Sequence, residues 1–191
     1  LGVASGDRPV EYPLFGRDFE GRGANFREQV AVLREGAQNR LPGGLDVLPR
    51  LQSPLPLLVA GLAQQTPSWV AEHMDGCLAY PGTPEDHARR VAAWRAVAGS
   101  KPYASFIHLD LTDNADEPLQ RWRFGLRGGR NALIAELQAL RAAGVDHVGL
   151  HFRRNQRPLD ETFHEIAEYV LPVFHTSKAA ATAAADEIVH V

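Results

Sequence analysis

One cysteine, Cys77, stands among 191 residues, which excludes an internal disulfide framework and a cysteine-rich zinc site. It lies in the apolar run CLAY and is expected as a buried, inert thiol. Lysine is almost as scarce. Only Lys101 and Lys178 join arginine among the 20 basic residues, a bias that genomic base composition accounts for without anion recognition. An excess of positive charge is also missing: a net charge of −3 and a pI near 6.2 leave no electrostatic footprint for nucleic acid. No apolar run approaches the roughly 20 residues of a membrane helix. The longest, LPLLVAGLA (55–63), is strand-sized and bounded by Pro and Gly. A signal-peptide pattern is absent, so the expected location is cytoplasmic. Neither G-x-S-x-G nor a Walker loop occurs, and Ser5 in ASGD lacks the elbow spacing, which argues against a hydrolase or a nucleotide triphosphatase.

What is present is alternation. Short apolar runs at 1–4 (LGVA), 55–61 (LPLLVAG), 76–81 (GCLAYP), 103–111 (YASFIHLDL) and 147–152 (HVGLHF) read as strands. Stripes at helical spacing lie between and after them: Phe26, Val30, Leu33; Val91, Trp94, Val97; Leu133, Ile134, Leu137, Leu140; and Phe163, Ile166, Ala167, Val170. Thr66-Pro67 and Thr83-Pro84 read as N-caps followed by Pro at the first helical position, while Gly99 and Gly144 read as helix stops. Strands separated by helices of about a dozen residues imply βαβ units and a parallel sheet. The class is α/β. Periodicity leaves open a doubly wound sheet or part of a (β/α)8 barrel. The Gly- and Pro-rich stretch 36–54 reads as an excursion loop, and the Ala-rich end (178–191) as a frayed or mobile tail.

In either architecture, ligands sit beyond the carboxyl ends of the strands. The first such segment is Ser5-Gly6-Asp7-Arg8-Pro9. The second, Gly61-Leu62-Ala63-Gln64-Gln65-Thr66-Pro67, joins a strand to a capped helix start, where free amides and the helix dipole suit an anion. Tyr80 follows the third strand. GLRGGRN (125–131) reads as a second Gly-rich loop before a helix, with Arg127 and Arg130 beside it. His108 and Asp110 share one strand face and offer an acid–base pair or a satisfied core pair. His147 and His151 also share a face but lack a third ligand at metal spacing, so no metal site is assigned. His73, His87, His164 and His175 fall on helices or their ends, at surface or boundary positions. Arg153, Arg154, Asn155 and Arg157 follow the last strand.

The run LGVASGDRPVEYPLFGRDFEGRGANFREQVAVLR resembles the segment after the fourth strand of luciferase-like flavin-dependent monooxygenases. PLPLLVAGLAQQTPSWVAEHMDGCLAYP is similar to that family's next two strands, and LIAELQALRAAGVDHVGLHF with VLPVF to its last helices and strand. The likeness implies a partial TIM (β/α)8 barrel, strands four to eight. Residues 1–175 would form the C-terminal part of one barrel domain and 176–191 a tail. It further implies FMN at the barrel mouth and oxidation of a small organic substrate by O2. By position it gives the phosphate to Gly61, Ala63, Gln64 and Gln65, and the ring or ribityl contacts to Ser5, Gly6, Asp7 and Tyr80. Arg127, Arg130 and Arg157 would lie around the mouth. Asp7, His108 and Arg157 are candidates for handling protons or substrate. A flavin reductase, and self-association or association with the barrel's first half, are implied as partners; a membrane is not. An F420-dependent hydride transfer shares the same phosphate loop and is the alternative, as is a half-barrel without catalysis until assembled.

Overall fold

The structure is a computed structural model that describes residues 1–35, 43 and 53–175. The tail expected at 176–191 and nearly all of the loop expected at 36–54 lie outside the described residues. Helices and mostly parallel strands alternate, as the α/β reading expects, in two compact units.

The first unit comprises Leu1–Tyr80 and Arg89–Ala104. Its strands β1 (Gly2–Val3), β2 (Leu58–Ala60) and β3 (Gly76–Ala79) are parallel, with Val3 opposite Val59 and Ala60 opposite Leu78. After β1 comes a 3₁₀ helix (Pro9–Phe15), then α1 (Arg22–Glu35), which buries Phe26 and Val30 but leaves Leu33 exposed. Between β2 and β3 runs α2 (Pro67–His73), where the Thr66 hydroxyl accepts from the Trp69 amide at 3.2 Å, the expected cap. Cys77 is buried, as its apolar setting requires. α3 (Pro84–Ala98) opens with reciprocal Thr83–Asp86 bonds of 3.2 Å and stops at Gly99 in the left-handed region. Its first turn faces His87 inward, so this histidine is buried and not at the surface position expected.

The second unit comprises Pro81–Ala88 and the residues from Ser105 on. Its spine is β4 (Tyr103–Leu111), which matches the expected strand to the residue. Leu109 and Leu111 pack into a cluster with Leu133 of α4 (Arg130–Ala142) and with Ile166 and Val170. Each such buried side chain contributes about 1.5–3 kcal/mol of transfer free energy. β7 (His147–His151) also pairs with β4. The chain ends in α5 (Leu159–Glu165), a π-helical turn (Ile166–Val170) and α6 (Leu171–Phe174).

A second expectation is overturned. GLRG is not loop but a strand, β6 (Gly125–Gly128), parallel to β4, with β5 (Gln120–Trp122) antiparallel beyond it. The cause is backbone demand. The His108 and Thr112 amides on that edge of β4 need acceptors and find the Phe124 and Gly128 carbonyls, each at 3.0 Å. Gly129 then starts α4 in extended geometry beneath the wrapped segment Asn114–Glu117, whose Ala115 carbonyl takes the Asn131 amide at 3.0 Å. The α4 start is thus closed by backbone and offers no open Gly-rich anion loop. No helix among the described residues is long and apolar enough to cross a membrane.

A Cβ on Gly129 would lie 2.2 Å from the Asn114 carbonyl oxygen, whereas one on Gly99 would meet nothing within 4 Å. Gly99→Ala therefore costs about 1 kcal/mol, through its positive φ alone. Gly129→Ala is expected to cost at least about 3 kcal/mol, because backbone cannot yield as a side-chain tip does. Urea unfolding of the two variants checks the order.

Candidate functional site

In the first unit, continuing the β1–β2–β3 register places Ser5 beside Gly61 and Gly61 beside Ala79. The Gly61 amide confirms the alignment by donating to the Leu78 carbonyl at 3.0 Å. Ser5, Gly61 and Tyr80 thus lie along one carboxyl edge. The Ser5 carbonyl accepts a short hydrogen bond from the Tyr12 hydroxyl, which folds the 3₁₀ helix back over Gly6. Asp7 is exposed, and Tyr80 is half exposed.

The turn after β2 carries the unusual backbone. Gly61 (φ 64°), Ala63 (φ 48°) and Gln64 (φ 63°) are all left-handed, a conformation that costs a non-Gly residue about 1–2 kcal/mol. Something must hold it, and Gln65 does. Its buried amide donates to the carbonyls of Gly23 (2.8 Å) and Ala63 (2.9 Å) and accepts from Arg27 Nε at 2.6 Å. α1 approaches closely enough for this because residue 23 is Gly, where a Cβ would stand 3.1 Å from the Gln64 Cβ. The Gln65 side chain is therefore the turn's anchor, with both its amide hydrogens engaged. Gln64 projects outward, exposed.

In the second unit, the carboxyl ends of the strands carry an ion network. Asp110, buried, accepts a short hydrogen bond from Arg127 and two from Gln156, through its backbone amide (2.9 Å) and its Nε2 (3.0 Å). Arg157 reaches Glu165 and Asp113, each at 2.6 Å, and Arg130 adds a second contact to Glu165 at 3.0 Å. Arg127, Arg130 and Arg157, read as mouth residues, are thus tied to carboxylates. Arg157 in particular staples three segments.

His108 and Asp110 share a face but do not form a pair, because Asp110 is turned to Arg127 and Gln156. His108 instead lies against His151 (ring centroids 4.7 Å) and Phe106 (5.6 Å). Burial lowers its pKa from the ordinary value, and the nearby charges of His151, Arg154 and Arg153 lower it further, so at pH 7 the ring is neutral. The Arg153 amide donates to His151 Nδ1 at 3.2 Å, which leaves the proton of a neutral His151 on Nε2. The sequence sets His151 beside His147 on one strand face, and the structure places it instead against His108. That contact depends on the pairing of β7 with β4, which the period-2 pattern within either strand does not specify.

A cavity of about 320 Å³ in this unit opens on the other face of β4, where Ile107 and Leu126 form its floor. On its wall Arg121 makes two contacts to Glu136 (3.0 and 2.5 Å), Thr83 and Asp86 bond to each other, and Arg123 lies 4.8 Å over the Phe124 ring.

The chain matches the model of the luciferase-like monooxygenase family over residues 1–117, more than half its length. No curated protein matches it. Among solved structures, an F420-dependent secondary alcohol dehydrogenase, in complex with an F420–acetone adduct, is similar in fold. The TM-score is 0.64 at 15% identity, over 92% of this chain and 69% of that one.

Desolvation works to raise the pKa of Glu165, but hydrogen bonds and charge from Arg157 and Arg130 outweigh it and hold the carboxyl below its ordinary value. A carboxylate depressed on folding stabilises the protein above its unfolded pKa, and that contribution is lost as pH falls through the folded value. Glu165→Gln should therefore cost about 3 kcal/mol at pH 7, where it breaks a largely buried pair. The difference from the parent should shrink as pH falls below about 4. Urea midpoints across pH measure both.

Proposed function

The chain belongs to the luciferase-like monooxygenase family, and from that premise we propose that it is a flavin-dependent oxidoreductase, taking FMN and acting on a small organic substrate with O2. The observation that carries this reading is the left-handed run at Gly61, Ala63 and Gln64, anchored by Gln65 at the carboxyl edge of parallel strands. Strained backbone held in place by its surroundings is a mark of ligand sites. The residues present fit a phosphate end. Nothing lies within 4 Å of where a Gly61 Cβ would stand, so a ligand can approach the backbone there. The amides of Ala63 and Gln64 make no backbone hydrogen bond among the described residues.

In this role the turn binds the phosphate through main-chain N–H groups, and Ser5, Gly6, Asp7 and Tyr80 lie along the edge where ring or ribityl contacts would form. A bound flavin would supply the redox chemistry, and the protein its position and a dry setting. Counting β1, β2, β3, β4 and β7 as strands four to eight of a (β/α)8 barrel extends the same reading, with β5 and β6 as an insertion. A flavin reductase, and a second copy or the barrel's first half, are the partners it calls for.

The similar fold of an F420-dependent enzyme favours a second reading, in which the same turn holds the deazaflavin and the reaction is hydride transfer without O2. Titration of FMN and of F420, separately, into the full chain distinguishes the two by absorbance and fluorescence. Saturable binding of one is expected, weakened at least about tenfold in Gly61→Val, whose side chain cannot hold φ near 64° and fills the approach. Binding of neither cofactor would overturn the reading.

A further inference from the structure

We infer that the face of β4 and β7 carrying His108 and His151, together with Arg153 and Arg154 just beyond, is a binding site for a small oxyanion, a carboxylate or phosphate group. This assignment stands apart from the cofactor reading, which concerns the other unit.

The argument begins with where charge is and is not answered. The other arginines at these strand ends have partners: Arg127 has Asp110, Arg130 has Glu165, and Arg157 has Asp113 and Glu165. Arg153 and Arg154 are exposed, and neither guanidinium has a carboxylate partner among the described residues. Asp110, the carboxylate on the same face as His108, is already held by Arg127 and Gln156. Two cations are thus gathered beside two imidazoles with no internal counter-ion.

The geometry suits an anion. The imidazole rings sit 4.7 Å apart, and Phe106 backs His108 at 5.6 Å. His151 turns its Nδ1 to the Arg153 amide, which presents Nε2–H outward as a donor. His108 is partly exposed and makes no side-chain hydrogen bond among the described residues. Arg153 and Arg154 follow His151 by two and three residues, and their charges act with burial to lower the His108 pKa. A guanidinium grips a carboxylate or phosphate with parallel N–H bonds, and a neutral imidazole adds a donor without the cost of burying another charge. On the opposite face the cavity holds the Arg121–Glu136 pair, with Arg123 lying over the Phe124 ring.

The test is NMR of the histidine rings in the isotopically labelled full chain, titrated with sodium phosphate, sodium acetate, or sodium chloride at matched ionic strength. The expected result is saturable movement of the His108 and His151 resonances with phosphate, acetate or both, exceeding that with chloride, while His164 on α5 follows ionic strength alone. Phosphate against acetate tells which oxyanion the site prefers. In Arg153→Ala/Arg154→Ala, whose side chains leave the core untouched, affinity should fall at least about tenfold, and the His164 resonance reports that the fold persists. The inference is overturned if His108 and His151 respond no more to either oxyanion than to chloride, or if the double variant titrates like the parent.

Discussion

The interaction on which the turn at the first unit's carboxyl edge depends is the three-way hydrogen bonding of Gln65. Two non-Gly residues in the left-handed region together cost roughly 2–4 kcal/mol that an isolated turn would recover by relaxing. The buried amide of Gln65 prevents that relaxation. Its donors take carbonyls on both α1 and the turn, and its acceptor takes Arg27. A buried amide with every group satisfied is stable where it lies and expensive to move. The strain at Ala63 and Gln64 is therefore fixed by the fold itself, and in the proposed role a phosphate would meet amides already held in place. This is the physical content of pre-organisation: the ordering free energy belongs to folding and is not subtracted from binding.

A parallel division of labour runs through the arginines of the second unit. Arg127, Arg130 and Arg157 are engaged with buried or half-buried carboxylates, where a planar guanidinium outperforms a lysine because its fork satisfies several acceptors at once. Glu165 shows the result: two guanidinium groups hold its charge despite burial. The network ties the ends of β4 and β6 to the β7–α5 loop and to α5. It leaves Arg153 and Arg154 as the arginines just past β7 whose charge the described residues do not answer. Near identical neighbours in sequence, Arg154 and Arg157, thus have opposite situations.

That contrast explains what the sequence could and could not disclose. β4 was legible to the residue because a run rich in aromatic, Ile and Leu residues is closed by Pro102 on one side and Thr112-Asp113 on the other. The helix starts at Pro67 and Pro84 were legible because cap chemistry is local: Thr66 and Thr83 act within three residues. β6 was not legible. Four residues with two glycines and an arginine carry no period, and the strand exists because an edge of β4, some 17 residues earlier, needs acceptors. The roles of Gln65 and Arg157 were illegible for the same reason. Each was singled out from position in a loop, but the partners that define it lie far off in the chain, Gly23 in one case and Asp113 in the other. The resemblance to the luciferase-like family came through an ordered set of such segments, each weak alone, and the family match covers residues 1–117 of that set.

The state of His108 follows from the same principle of which charges are answered. Had Asp110 faced it, the pair would form the acid–base couple that two residues' spacing on one strand suggests, with the imidazole's pKa raised. Because Arg127 and Gln156 draw Asp110 away, the imidazole is left with cationic neighbours and partial burial, and both act in one direction, toward the neutral ring. A neutral imidazole beside unpaired guanidinium groups is a hydrogen-bonding surface and not a third cation. It can donate to a bound oxygen or accept from it as the ligand requires, while the arginines supply the charge. One rotation of a carboxylate thus decides whether this face reads as a catalytic dyad or as a receptor for an anion, and the packing around Asp110 selects the second.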